Sequence, residues 1–371
     1  MIRVLQVFDS LEISGGVQAV IMNSYRAIDR TKIQFDFAHY HNPDDSNSYR
    51  EEIEALGGRV IKIKCLSEAG FKGFYDQFIK LFSENKYAAV HAHNIHHNGI
   101  ILLAAKRCGI KNRISHGHQA FDEYNDKSYR RLIAKALMKL NLCVATQKVA
   151  CSDLAAEFLY GKNQSYIFIP NAVDLKRFEE LPDKEELREK YGLSADEKIL
   201  IHIGRMAPPK NQNFLIDIME KLRETEWKLW IIGDGYLKSE LIDYIKEKNL
   251  GDKVELLGLR SGCPELLKMA DIMLLPSIYE GMPVVAVEAQ AAGCLSLISD
   301  VVTKQVDAQM GLVEYLPITD AQIWVDRIKA FQANTNGKTN CKEIFRTLNQ
   351  CGFGSDENAK RWMKLYVSEK E

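Results

Sequence analysis

Short apolar runs alternate with longer stretches of helical periodicity along nearly the whole chain, and this alternation is the strongest constraint on its fold. The runs are Arg3–Phe8, Phe35–His39, Arg59–Ile63, Ala89–His93, Arg113–His116, Lys148–Cys151 and Tyr166–Ile169, then Lys198–Ile203, Lys228–Ile232, Val254–Leu257, Ile272–Leu275 and Cys294–Ile298. Between them, Val17–Ala27, Asn98–Cys108, Tyr129–Leu140, Gln212–Leu222 and Leu237–Lys246 repeat apolar residues at helical spacing. Strand–helix–strand order predicts parallel sheets with crossover helices, because parallel neighbours cannot be joined by a tight hairpin. The fold class is therefore α/β and doubly wound.

At 371 residues the chain is too long for one core, since single cores stop growing near ~250–300 residues. The opening unit also occurs twice. Val4–Phe8 runs into a loop with Gly15-Gly16 and then a helix, and Ile199–Ile203 runs into Gly204–Lys210 and then a helix. Two doubly wound domains are expected, divided as 1–173 with a C-terminal helix at about 356–371, and 174–355. The polar stretch Asp174–Lys198, with Pro182, Asp183, Glu185 and Glu186, reads as the linker. Facing domains would leave a cleft at the carboxyl ends of both sheets, the usual ligand position in open α/β folds.

The net charge of −1 provides no overall basic field to recruit nucleic acid. The two parts differ, however. Residues 1–170 hold 22 Lys/Arg and 17 Asp/Glu, or +5, whereas the remainder holds 27 and 33, or −6. Eight of the nine histidines lie in the first part, which suggests lobes with different partners.

The first residues, Met1-Ile-Arg-Val-Leu-Gln-Val-Phe-Asp9, are too briefly apolar for a signal peptide. No apolar run approaches the ~18–20 residues that span a bilayer. The eight cysteines are scattered without a Cys-x-x-Cys pair, so they read as reduced, mostly buried apolar residues. A cytoplasmic location is expected.

One segment carries most of the chemistry: Ser277-Ile-Tyr-Glu280-Gly281-Met282-Pro283-Val-Val-Ala-Val-Glu288-Ala-Gln-Ala-Ala-Gly293. Pro283 suits the first helical position and Gly293 the C-terminal cap. The helix then starts just after Gly281, with its free N–H groups at the loop end of the sheet. Glu288 is the only charged residue between Gly281 and Ser299. A carboxylate on so apolar a helix needs hydrogen-bond donors. The two hydroxyls of a nucleotide ribose would supply them; solvent or a lysine is the alternative.

A second segment, Gly204-Arg205-Met-Ala-Pro-Pro-Lys210-Asn211, places two cations beside a helix start, an arrangement suited to a diphosphate; solvated loop cations are the other reading. Gly15-Gly16 would let backbone approach phosphates, and Gly233-Asp234-Gly235 is a tight turn after a strand. For each glycine pair, turn geometry alone is the other reading.

Together, Ile169-Pro170-Asn171-Ala172-Val173-Asp174, Gly204-Arg205…Lys210, Ile232-Gly233-Asp234-Gly235 and Glu280-x7-Glu288 follow the order and spacing of retaining GT-B glycosyltransferases of family 4. The resemblance covers nearly the whole chain. Through Arg113-Ile-Ser-His-Gly-His118 and Ala150-Cys-Ser152, the first part is similar to bacterial exopolysaccharide and capsular-polysaccharide transferases.

The resemblance implies two Rossmann-like lobes, the first mainly for acceptor and the second for a nucleotide-diphosphate sugar, UDP-linked. It places the diphosphate on Arg205 and Lys210 and the ribose on Glu288. Glu280 and the backbone after it, Gly281-Met282-Pro283, would hold donor-sugar hydroxyls. His118 would sit near the reacting sugar, with Gly15, Gly16, Gly204, Gly233 and Gly235 lining the nucleotide sugar. The implied activity is retaining, metal-independent transfer of a hexose or N-acetylhexosamine to a glycan or lipid-linked acceptor in polysaccharide biosynthesis. The nucleotide sugar is a co-substrate, and no cofactor is expected. One departure stands out. After Ser299-Asp300 the family commonly has a glycine pair and an acid, whereas this chain reads Val301-Val-Thr-Lys-Gln-Val-Asp307.

Other readings compete. His91-x-His93, His96-His97 and His116-x-His118 could serve a metal-dependent hydrolase, though few carboxylates lie nearby. A sugar-nucleotide epimerase or hydrolase on the same fold, or an inactive partner subunit, are the remaining alternatives. Finally, Lys127, Arg131, Lys135 and Lys139, flanked by Arg130, recur at helical spacing. With Leu132, Ile133, Ala136, Leu137 and Leu140 beside them, they form either a peripheral membrane contact or a solvated helix face.

Overall fold

The computed structural model describes residues 1–13, 15–40, 48–121, 128–194, 196–331 and 341–367. It divides into two compact units, Met1–Ala172 with Ser355–Glu371, and Val173–Gly354.

The described strands of the first unit are β1 (Ile2–Val7), β2 (Ile33–His39), β3 (Val60–Lys62), β4 (Ala89–Ala92), β5 (Asn112–Gly117), β6 (Gln147–Ala150) and β7 (Ile167–Phe168). They form one parallel sheet in the order β3-β2-β1-β4-β5-β6-β7. Every residue of β2 is buried, as expected for a parallel sheet covered on both faces. Phe74 and Phe78 pack one face with Val90 and Ile101. The C-terminal helix Ser355–Tyr366 joins this unit. Its fully buried Trp362 packs on Phe35 and His91, and Asn358 donates to the Pro170 carbonyl at 2.8 Å.

The second unit contains β8 (Lys198–Ile203), β9 (Trp227–Ile232), β10 (Val254–Gly258), β11 (Ile272–Leu275), β12 (Leu295–Ser299) and β13 (Val313–Leu316). Their order is β10-β9-β8-β11-β12-β13, all parallel, with the reversal at β8 that defines a Rossmann-type sheet. Trp324, Leu229, Ile231, Leu274 and Leu297 share its core. Both units are thus doubly wound.

Three expectations need correction. The stretch Asp174–Lys198 is not a free linker: it carries helices Lys176–Glu179 and Lys184–Lys190, packed into the second unit. Lys184 bonds Asp271 at 2.7 Å, and buried Arg188 donates to the Met269 carbonyl at 2.9 Å and the Ser194 carbonyl at 3.0 Å. Lys184 and Arg188 are thus structural partners, which composition alone does not reveal. Strand β13 had no counterpart in the apolar pattern because its Val-Glu-Tyr-Leu run is short and mostly half-buried. The cysteines are free, as expected, but only Cys65, Cys151 and Cys294 are buried, while Cys143 and Cys341 are exposed. Among the described residues, no helix is long and apolar enough to cross a membrane.

Candidate active site

Three loops leave the carboxyl edge of the second sheet and interlock. After β8 comes Gly204–Lys210, after β9 Gly233-Asp234-Gly235, and after β11 the segment reaching Pro283. The Met206 N–H donates to the Asp234 carbonyl at 2.9 Å, the Leu237 N–H to Met206 at 3.2 Å, and the Ile278 N–H to Pro209 at 2.8 Å. The glycines are required by this close approach. Gly233 has φ 137°, and a Cβ there would stand 2.1 Å from the Gly204 oxygen; one on Gly235 would stand 2.3 Å from the Met206 oxygen. A Cβ on Gly204 would meet the Lys210 side chain at 3.3 Å.

Lys210 ends a short 3-10 turn, Pro208–Lys210, followed by Asn211 in the left-handed region at φ 54°. Its ammonium forms an ion pair with Glu280, and the buried Ser277 hydroxyl donates to the same carboxylate oxygen at 2.9 Å. The two residues expected to hold different parts of a donor are therefore bonded to each other. Arg205, on the same loop, is exposed.

The helix after β11 is Val284–Ala291, so Pro283 is the residue before the first helical position rather than the first itself. Its φ of −70° and extended ψ of 117° turn the chain into the helix, and no side chain caps the start. Gly281, Met282 and Pro283 are buried there. At the other end Gly293 takes φ 72°, and the Cys294 N–H returns to the Ala289 carbonyl at 2.9 Å, a glycine-dependent helix stop.

Glu288 is half-buried on this helix, and among the described residues no donor bonds to it. Burial raises its pKa above the ordinary carboxyl value, opposed by the charge of Arg177. Neighbouring Gln290, fully buried, accepts from the Ala308 N–H at 2.9 Å and donates to the Val306 carbonyl at 2.9 Å. It holds the atypical 301–307 loop, whose turn Lys304–Val306 is capped by Thr303.

In the first unit, Gly15 precedes helix Gly16–Ala27. A Cβ on Gly15 would overlap Gln18 Oε1 at 2.0 Å, whereas Gly16 has open space. His118 follows β5 and is buried, with Nδ1 3.1 Å from Asn171 Oδ1 and Nε2 2.9 Å from His93 Nδ1. Both ring nitrogens are thus engaged within this unit. His93 continues to Gln6 at 3.0 Å, and Gln6 donates to Tyr366 at 3.0 Å. Tyr366 meets His91 at 2.7 Å, which meets His116 at 3.1 Å. Burial pushes His118 down to about 4, and His91, His93 and His116 well below the usual range, so the rings are neutral.

Nitrogens of His91, His93 and His116 lie within 4.8 Å of one another, close enough to share an ion. Five of their six nitrogens already bond Tyr366, Gln6, His118 or each other, and only His116 Nε2 has no partner. They form a buried hydrogen-bonded ladder. His97 lies apart from it, on Tyr40 at 3.0 Å.

Gly204, Arg205, Lys210, Gly233, Gly235 and Glu280 thus converge at one sheet edge, with Glu288 on the helix that starts there. Gly15, Gly16 and His118 belong to the other unit. Sequence reasoning gave Ser277 no role and passed over Gln212, which carries no charge, and His202, whose only signal was a lone histidine inside an apolar strand.

Residues 183–331 match the family described as Glycosyl transferases group 1. The chain is 33% identical over 375 residues to EpsF of Bacillus subtilis (strain 168), which carries a glycosyltransferase name, covering 98% of this chain and 96% of that protein. It is 30% identical over 234 residues, 60% of each chain, to the UDP-Gal:alpha-D-GlcNAc-diphosphoundecaprenol alpha-1,3-galactosyltransferase of Escherichia coli. Anabaena HepE, solved in complex with UDP, has a TM-score of 0.77 at 17% identity, covering 98% of this chain and 99% of that one. With these matches and two Rossmann-like units, the chain belongs to the Glycosyl transferases group 1 family and has the two-domain α/β architecture of GT-B glycosyltransferases.

Proposed function

We propose that this glycosyltransferase moves a hexose or N-acetylhexosamine from a UDP-sugar to a glycan or lipid-linked acceptor in polysaccharide biosynthesis, with retention and without a metal. The observation that carries this reading is the convergence of the loops bearing Arg205, Lys210 and Glu280 at the start of the uncapped helix that carries Glu288, to which no donor among the described residues bonds. The bond between the anomeric carbon and phosphate oxygen breaks, the acceptor oxygen bonds to that carbon, and the acceptor proton passes to the departing diphosphate. Negative charge grows on the diphosphate, which Arg205, Lys210 and helix N–H groups would stabilise. Glu280, held by Lys210 and Ser277, suits a hydroxyl acceptor rather than a nucleophile. Glu288 would accept from the ribose hydroxyls.

The acceptor assignment draws on the Escherichia coli relative, named for a diphosphoundecaprenol substrate, and the donor base on HepE, solved with UDP. A peripheral membrane role belongs to the same reading. Helix Ser128–Val144 exposes Arg130, Arg131, Lys135 and Lys139, together with Tyr129, Leu132 (72%) and Ile133 (42%). Lys127 lies outside the described residues. Apolar side chains exposed among cations fit an anionic leaflet, each cation contributing about 1 kcal/mol.

A thermal-shift panel of sugar nucleotides tests the donor. A ligand at ~100 Kd adds about 2.7 kcal/mol, so UDP and its sugars should raise the melting temperature while GDP and ADP do not. Stabilisation by another base alone rejects the UDP assignment.

A further inference from the structure

His202 is the fully buried fifth residue of β8. Its Nδ1 lies 2.9 Å from the Leu274 carbonyl of β11. A carbonyl only accepts, so Nδ1 carries the hydrogen. Burial pushes the ring down to about 4, which keeps it neutral and leaves Nε2 as a bare acceptor. Facing it at 3.3 Å is Nε2 of Gln212, the first residue of helix Gln212–Lys221 and itself buried. The same amide nitrogen lies 2.9 Å from the Arg205 carbonyl. Two acceptors meet the two amide hydrogens, so a single amide orientation satisfies both.

The far end of that peptide is also fixed, because the Met206 N–H donates to the Asp234 carbonyl at 2.9 Å. The Arg205–Met206 peptide is therefore held at its oxygen by Gln212 and at its nitrogen by Asp234. The imidazole also lies beneath Gly204, where a Cβ would approach His202 Nε2 to 3.2 Å. An apolar side chain could fill this volume without burying polar atoms. The polar chain from Leu274 through His202 and Gln212 adds directional control instead.

We infer that His202 and Gln212 are positioning residues of the phosphate clamp: His202 orients the Gln212 amide, which sets the Arg205–Met206 peptide and hence Arg205. The inference rests on the reading that Arg205 receives the diphosphate. A double-mutant cycle with UDP as the calorimetric probe separates the two. Gln212→Leu keeps the bulk but removes both donors, and UDP affinity should fall about tenfold, the worth of one well-placed hydrogen bond. In an Arg205→Ala background the same change should alter affinity by no more than about twofold, because its effect runs through Arg205. Gln212→Glu, whose carboxylate offers no hydrogen to either acceptor, serves as the second variant and should show the same pattern. Equal losses in both backgrounds would make the pair merely structural and overturn the inference. So would wild-type affinity in either folded Gln212 variant. If Arg205→Ala itself left UDP binding unchanged, the clamp reading would fall first, and the positioning role with it.

Discussion

The Lys210 ammonium is ion-paired with the Glu280 carboxylate, a residue 70 positions further along the chain, and both side chains are largely shielded from solvent. The pair brings no net charge to the site. Under the proposed function, net positive charge for a diphosphate would come from Arg205 and the uncapped helix start at Val284, with Lys210 contributing at short range. A carboxylate bonded by a lysine on one side and Ser277 on the other is held in one orientation.

Arg205→Ala and Lys210→Ala should each fold and lose ~10²–10³ in turnover, the range seen on removing one preorganised donor from a transition state. Steady-state kinetics with the donor identified in the thermal-shift panel measures this. Near-normal turnover in either variant would locate the diphosphate elsewhere.

The two acids should separate by ligand. Glu280→Gln leaves affinity for free UDP unchanged and damages the intact sugar donor, whereas Glu288→Gln weakens both because it acts at the ribose. Calorimetry giving parallel losses for both ligands in both variants would reject this division.

Glu288 also makes a stability prediction. Its pKa is raised by burial, so the folded chain keeps its proton to higher pH than the unfolded chain does. Stability therefore falls as pH rises from the ordinary glutamate range through the raised value, and above that the charged carboxylate is a constant cost. Glu288→Gln should melt higher than the parent at neutral pH while binding UDP more weakly, and the melting difference should close on acidification. A lower melting temperature at neutral pH would show that the carboxylate already has a stabilising partner.

Transfer should survive chelation. The sequence holds no Asp-x-Asp, and the proposed clamp uses side chains and backbone in place of a metal ion. Assays with EDTA, followed by a divalent ion, decide the matter: activity abolished by one and restored by the other would favour a metal-dependent site.

Vesicle flotation addresses helix Ser128–Val144. Binding should require anionic lipid, fade with salt, and drop when Arg131, Lys135 and Lys139 become Glu. Equal flotation of parent and triple variant would leave the exposed Leu132 and Ile133 with another role.

What the sequence determined by itself was local. The alternation of apolar runs located β1 to β12, and Gly293 marked the helix end, because strand pleat, helical periodicity and left-handed backbone are decided by residues near one another. The same logic failed at Asp174–Lys198, where local charge suggested a linker but Lys184 and Arg188 find partners near Asp271, more than 80 positions away. Tertiary structure alone decided who meets whom. Strand order sets β8 beside β11 although two strands separate them in sequence, and this adjacency brings Lys210 to Glu280 and His202 to Leu274. In the first unit, the returning C-terminal helix carries Tyr366 to His91, 275 residues away, completing a ladder that leaves His118 with both nitrogens engaged. Residue types and spacing supplied the chemical groups; sheet order and packing fixed their partners, because hydrogen bonds and ion pairs depend on distances in space that the linear pattern does not encode.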